Sequence, residues 1–200
     1  MPLLRSSPAS PFGRKVILAA TLAGLPMAFS VTVADTNDAS DSLRQENPLG
    51  KIPSLLLDDG SVLYDSRVIV EWLDMQAGGD CLIPRDPGAR IKVLTFQALC
   101  DGLMDAAVVS RYEIAFREAP LRSQKWLDHQ AGKINRALEA LATSLPTGKR
   151  DIGHIALACA LGYLDFRFEG RWRARNPGLV AWLDQFATDV PAFEATRVKA

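Results

Sequence analysis

Histidine and cysteine are scarce in this chain of 200 residues: His129 and His154 are the only histidines, and Cys81, Cys100 and Cys159 the only cysteines. There is no Cys-x-x-Cys and the thiols are widely spaced, so neither a zinc site nor a disulfide framework is expected, and no metal is called for. An odd number of reduced thiols fits a cytoplasmic protein. Net charge is absent too, since 23 Lys and Arg balance 23 Asp and Glu. Without a basic field nothing attracts a phosphate backbone, and nucleic acid is excluded as a partner. Also missing is an unbroken apolar run near the start. Residues 16–34 carry no charge and follow Arg14-Lys15, as a leader would, but Gly24-Leu25-Pro26 breaks them in two. Neither a signal sequence nor a membrane segment is expected.

What is present is a composition able to bury a core, with 48% of residues apolar and 23% charged. Near the start stands Ser7-Pro8-Ala9-Ser10-Pro11-Phe12-Gly13. Serine followed by proline is a helix start: a hydroxyl N-cap, then a first helical residue whose missing N–H costs nothing. The Ser10 hydroxyl would sit among unpaired amides at the positive end of a helix dipole, a place that suits an anion such as a thiolate. By itself the motif is equally a plain cap.

The chain divides by pattern. Leu3-Leu4-Arg5 reads as a short strand, and 11–23 as a helix with Val16, Ala19 and Ala20 on one face. Residues 28–33 alternate as a strand does. Two short runs, 54–57 and 61–64, flank Asp58-Asp59-Gly60 and read as an antiparallel hairpin, with Ser66 capping a helix after it. Gly78-Gly79-Asp80 and Pro84-Arg85-Asp86-Pro87 then punctuate the chain, and everything beyond is helical in period. We therefore expect an α/β part, ordered βαβαββα, in residues 1–78, a linker at 79–87, and an all-helical bundle in 88–200. Within the latter, 151–168 is apolar nearly all round and predicts the most buried helix.

This order, with three local motifs, resembles the cytosolic glutathione S-transferases over essentially the whole chain. Ser10-Pro11-Phe12-Gly13 is similar to the family's serine-type active-site turn. Asn47-Pro48-Leu49-Gly50-Lys51-Ile52-Pro53 is similar to the segment in which the family keeps a cis proline, and Asp65-Ser66 to its acidic-Ser pair. The resemblance implies a thioredoxin-like N-terminal domain and glutathione as cosubstrate. It gives Ser10 the task of donating to the glutathione sulfur, and assigns Phe12, Lys51, Ile52, Pro53, Asp65 and Ser66 to glutathione binding. Asp101, Met104, Arg111 and Tyr112 would border the pocket of a small hydrophobic electrophile, built from 102–116 and the loop after Leu4. It further implies a homodimer and a detoxifying transferase activity.

Plainer readings stand beside these. Ser7 is the other hydroxyl in the turn, though no Pro-Phe follows it. Arg14 and Lys15 read as surface or sheet-edge charges, and Cys100 and Cys159 as small core residues. Asp101 and Asp105 lie four apart on one helix but have no histidine with them, so they do not read as a metal pair. Where the family's buried helix commonly begins Ser/Thr-x-x-Asp, this chain has Asp151-Ile152-Gly153-His154, so the reciprocal capping carboxylate is missing. Two other functions stay open: glutathione-dependent reduction of peroxides or disulfides, disfavoured because residue 10 is not cysteine, and a non-catalytic glutathione- or ligand-binding module.

Overall fold

The computed structural model describes residues 1–198. Helix α1 (Pro11–Leu22) crosses between parallel strands β1 (Leu3–Ser6) and β2 (Ser30–Val33). After a four-residue helix α2 (Leu43–Glu46), β3 (Ser54–Leu56) and β4 (Val62–Leu63) add antiparallel neighbours, giving the sheet order β2-β1-β3-β4. Helix α3 (Ser66–Gln76) closes this thioredoxin-like unit. Then come α4 (Pro87–Phe116), α5 (Gln124–Thr143), α6 (Ile152–Phe168), α7 (Pro177–Asp189) and α8 (Pro191–Ala195). The last helical stretch is thus two helices, because Pro191 starts a second one. Residues 16–34, which imitate a leader, form α1, a turn and β2. Helix α4 is long and apolar enough to cross a membrane, yet Cys100, Leu103, Met104 and Ala107 on it are core residues.

Local chemistry sets the ends. Ser10, Asp65, Asp86, Ser123 and Asp151 are N-caps whose side chains accept from amides of the first helical turn. For α3 the cap is Asp65 and not Ser66, which is the first helical residue. At α6 the capping box is closed after all: the His154 ring nitrogen lies 3.3 Å from the Asp151 amide and 2.8 Å from Asp151 Oδ1. Imidazole replaces the expected carboxylate because its Nδ1 reaches as far. The 58–60 hairpin turns at Gly60, where φ is +84°, a conformation glycine adopts without steric cost.

Helix α6 is the spine. Its residues from Ile152 to Leu161 are buried without interruption, with α1 on one side and α4 on the other. Between α3 and α4 the chain is held by one carboxylate: Asp74 Oδ1 accepts from the amides of Cys81, Leu82 and Ile83 at 3.0, 2.6 and 3.3 Å. Leu82 in turn accepts from the Ile152 amide at 3.0 Å, which ties the connection to the start of α6. A carboxylate taking three amides replaces water for all of them.

Candidate functional site

Ser10 has extended backbone angles and its Oγ accepts from the Gly13 amide at 3.1 Å, while its own amide donates to the Ser7 carbonyl at 2.9 Å. Among the described residues the Ser10 hydroxyl proton has no acceptor, so it is available to a ligand. Ser7 is similar, its Oγ accepting from the Ala9 amide at 3.4 Å with no acceptor for its own proton among the described residues, but it does not line the cavity that opens beside Ser10. Gly13 permits the close approach of α1 to β1, because a Cβ there would lie 1.9 Å from Ser6 Oγ.

The second part of the site is the corner before β3. The Ile52–Pro53 bond is cis, and Lys51, exposed, offers its carbonyl inward to Asn47 Nδ2 and Ser54 Oγ, both at 3.0 Å. Asn47 is 1% exposed and also takes the Leu49 amide on its side-chain oxygen. Asn47 and Ser54 therefore shape the corner, leaving Ile52 outside the paired register of β3. Sequence reading treats Asn47 only as part of a motif. Its buried side chain satisfies three groups, the Lys51 carbonyl, the Ser54 hydroxyl and the Leu49 amide, which is why an amide is needed there.

At the third part, Asp65 accepts from the Arg67 amide at 2.9 Å and pairs with the Arg67 guanidinium at 2.6 Å, while Ser66 is 2% exposed. Burial works to raise the Asp65 carboxyl, but the hydrogen bonds and charge of Arg67 outweigh it and hold the group below its ordinary value. Asp105 on α4 moves the other way: burial, then the charge of Asp101, push its carboxyl up against the pull of Lys51 and Arg67. Asp65 and Arg67 at the start of α3 and Asp105 on α4 thus act on one another through their charges.

A cavity of about 630 Å³ opens beside Ser10, lined by Pro8, Pro11 and Arg14 on one side and by Tyr163, Phe166 and Arg173 on the other. Phe12 is half-buried, its ring 5.6 Å from Lys15 Nζ. The expected electrophile residues separate in the structure. Met104 is fully buried and Asp101 is occupied by Lys15 at 2.6 and 2.8 Å, so neither lines this cavity. Gly102 faces a different hollow between α4 and α5. Arg111 and Tyr112 stand near enough for their charges to act on Tyr163, whose phenol burial pushes up. The cavity wall is therefore the second half of α6, whose aromatic residues look like core in the sequence. The expectation for Arg14 and Lys15 is also corrected: Lys15 is 0% exposed, and Arg14 is packed over the Phe193 ring at 4.0 Å. Cys100 and Cys159 are buried as expected, and burial raises the Cys159 thiol to about 12. No cluster of potential metal ligands occurs among the described residues.

The chain matches the glutathione S-transferase N-terminal domain over residues 4–80 and the C-terminal domain over residues 124–185. It is 36% identical over 177 residues to the uncharacterized GST-like protein YibF of Escherichia coli (strain K12), with 86% of each chain covered. A glutathione transferase family member from Pseudomonas fluorescens Pf-5, solved with bound glutathione, superposes with a TM-score of 0.92 at 44% identity over the whole of both chains. A structure of a family member from the same organism with bound S-(propanoic acid)-glutathione gives 0.88 at 42% identity, again over both whole chains. With its sheet domain, helical domain and site turn arranged as described, this chain belongs to the glutathione S-transferase family.

Proposed function

We propose that the chain is a glutathione transferase that joins the glutathione sulfur to a small electrophile. The observation that carries this reading is the Ser10 hydroxyl, which accepts from Gly13 and, among the described residues, has no acceptor for its own proton at the rim of the cavity. Glutathione would lie across residues 1–78. The Ile52 backbone before Pro53 pairs with its cysteinyl unit, as an added strand pairs with an edge. Asp65 takes the γ-glutamyl ammonium, Ser66 and the first amides of α3 take the adjacent carboxylate, and Lys51 the glycyl carboxylate. Phe12 packs beside the sulfur. Ser10 then donates to the sulfur, and with the N-terminal dipole of α1 it favours thiolate over thiol. The thiol proton leaves to solvent, the sulfur lone pair forms the S–C bond, and the leaving group or π electrons depart from that carbon. The Pseudomonas fluorescens family member was solved with a glutathione thioether bound, S-(propanoic acid)-glutathione. Residues 88–200 complete the acceptor pocket through Tyr163 and Phe166, with Arg111 and Tyr112 beyond them.

The same reading places the protein in a reducing cytoplasm as a homodimer, with Val68, Met75 and Ile91, all exposed on α3 and α4, as the apolar face for a second copy. A reductase reading is weaker because Cys100 and Cys159 are buried with raised thiols. The test is Ser10→Ala, followed through the ultraviolet absorbance of bound thiolate against pH and through turnover of a panel of electrophiles. We expect the bound thiol pKa to rise by about one unit or more and kcat/KM to fall about tenfold to a hundredfold. Unchanged thiol ionisation in the variant would sink the assignment of Ser10. Tight binding of immobilised glutathione with no turnover of any electrophile would favour a binding module instead.

A further inference from the structure

The walls of the cavity beside Ser10 hold a positive charge with no carboxylate in ion-pair contact among the described residues. Arg173 is matched there by Asp165, which it grips at 2.9 and 2.6 Å and which also accepts from Trp172 Nε1 at 2.9 Å. Glu169, also on the wall, has Arg171 at 2.9 Å, and Arg197 at the mouth reaches Glu194 at 3.4 Å. Arg14 differs. Its Nε donates to Thr196 Oγ1 at 3.1 Å and one Nη2 proton to the Phe193 carbonyl, both neutral acceptors. No carboxylate lies within ion-pair distance of it among the described residues. Its Nη1 edge makes no hydrogen bond among those residues and faces Gly162, where even a Cβ would come within 2.7 Å of it. The guanidinium is thus fixed by stacking on Phe193 and by two hydrogen bonds, and its remaining N–H groups, with Nη1 resting beside the α6 backbone at Gly162, have no partner among the described residues. Burial lowers its pKa, the sign of a charge short of compensation, although an arginine stays protonated. Behind Phe166 and Tyr163, Arg167 adds a second such group: it stacks on Phe166 at 4.0 Å and its buried Nε has no partner among the described residues.

We propose that the acceptor taken at this cavity is an acid: an electrophile whose carboxylate is held by Arg14, with Arg197 at the mouth, while its carbon skeleton lies on Phe166 and Tyr163. The inference rests on reading this cavity as the acceptor's place beside the Ser10-bound sulfur. Arginine in a fixed orientation suits a carboxylate because two parallel N–H groups or one charge-assisted bond discriminate strongly against a neutral amide. The aromatic wall suits a flat acid such as a ring carboxylate. With an activated aryl chloride the sulfur–carbon bond forms, the carbon–chlorine bond breaks with its pair on chloride, and the thiol proton goes to water.

The test is calorimetric titration of the full chain with two thioethers that differ in charge alone: S-(para-carboxybenzyl)glutathione and S-(para-carbamoylbenzyl)glutathione. We expect the acid to bind about tenfold or more tightly, a preference that weakens with salt. Arg14→Gln should abolish the preference and Arg197→Gln should reduce it. Because Arg14 also ties α1 to the C-terminal helices, Arg197→Gln, altered only at a half-exposed end, keeps the test alive if the first variant does not fold. Equal affinities in the unaltered protein, or a preference that survives both substitutions, would overturn the proposal. Turnover of para-chloro-meta-nitrobenzoate against its benzamide, each relative to its uncatalysed rate, separates the two readings. Turnover of both at equal relative rates, with no binding preference, removes the acid site and leaves the transferase. A binding preference with no turnover does the reverse.

Discussion

Arg14 and Lys15 are neighbours on α1, carry the same charge and both reach into the C-terminal helices, yet their surroundings answer that charge differently. Lys15 is wholly buried and meets Asp101 of α4 with both carboxylate oxygens, a complete ion pair across the two domains. Arg14 meets a ring, a hydroxyl and a carbonyl, and among the described residues no carboxylate. An ammonium is a compact, strongly hydrated charge that tolerates burial only with a charged partner, whereas a guanidinium is flat and weakly hydrated and can lie on an aromatic face. The difference teaches how α1 serves two purposes: its Lys15 side fastens the domains, and its Arg14 side leaves charge facing a cavity.

The strongest way to break that contrast is to remove one partner of the buried pair. Asp101→Ala leaves the Lys15 ammonium without an anion, and we expect a loss of about 3–5 kcal/mol, read as a fall in the urea midpoint. The pair itself is not the source of that stability, since desolvation offsets most of its attraction. The double variant Lys15→Met with Asp101→Leu should therefore recover to within about 1 kcal/mol of the parent. If Asp101→Ala alone costs less than about 1 kcal/mol, Lys15 has another anion or reaches water, and the comparison with Arg14 collapses.

Arg14 should be cheaper to lose. Arg14→Met forfeits a cation–π contact and two hydrogen bonds but retains much of the stem packing, and about 1–2 kcal/mol is expected. A double-mutant cycle with Phe193→Leu should show a coupling of about 0.5–1 kcal/mol in unfolding free energy. A coupling near zero would mean that the ring is mere filler and that the hydrogen bonds to Thr196 and the Phe193 carbonyl hold the guanidinium alone.

Neither side chain's fate was legible in the sequence, for a physical reason. Periodicity and turn chemistry are local, and they located the βαβ unit, the Asp59-Gly60 turn and the helical remainder, because each follows from neighbours within a few residues. The partner of Lys15 lies 86 residues away, and no pattern around Lys15 distinguishes a buried lysine from a solvated one. Arg5 is similar: it reads as the polar end of a strand, yet it is 8% exposed and bound to Asp41 and Glu46 at 2.5 and 2.9 Å. Of the site, the Ser10 cap was visible because a Ser-Pro helix start is a local signal, whereas the Asn47–Pro53 corner was reached only through the family resemblance. The cavity wall on α6 was hidden, since Tyr163 and Phe166 share the period of the core residues they continue. At Asp151-His154 a rule about carboxylates concealed that the imidazole nitrogen can close the same ring of hydrogen bonds.

The smallest expected effect concerns the anion next to the Lys15 pair. Asp105 and Asp101 lie one turn apart on α4, and the Asp105 carboxyl is raised first by its burial and then by the charge of Asp101. A carboxyl harder to ionise in the folded protein than in the unfolded chain weighs against folding once it is charged. That penalty is complete above the raised folded value and absent below the unfolded value of about 3.9. Asp105→Asn should therefore stabilise the protein at neutral pH, by no more than a few tenths of a kcal/mol because water screens this partly exposed group. The gain should fade as pH falls through the acid range. Asp65→Asn should act oppositely, since Arg67 holds that carboxyl low and its stabilisation is present above about 3.9 and lost below. Urea midpoints of the two variants against pH give the comparison directly. Curves for Asp105→Asn and Asp65→Asn that shift in the same direction would show that burial and the Asp101 charge together do not outweigh the pull of Lys51 and Arg67 on Asp105.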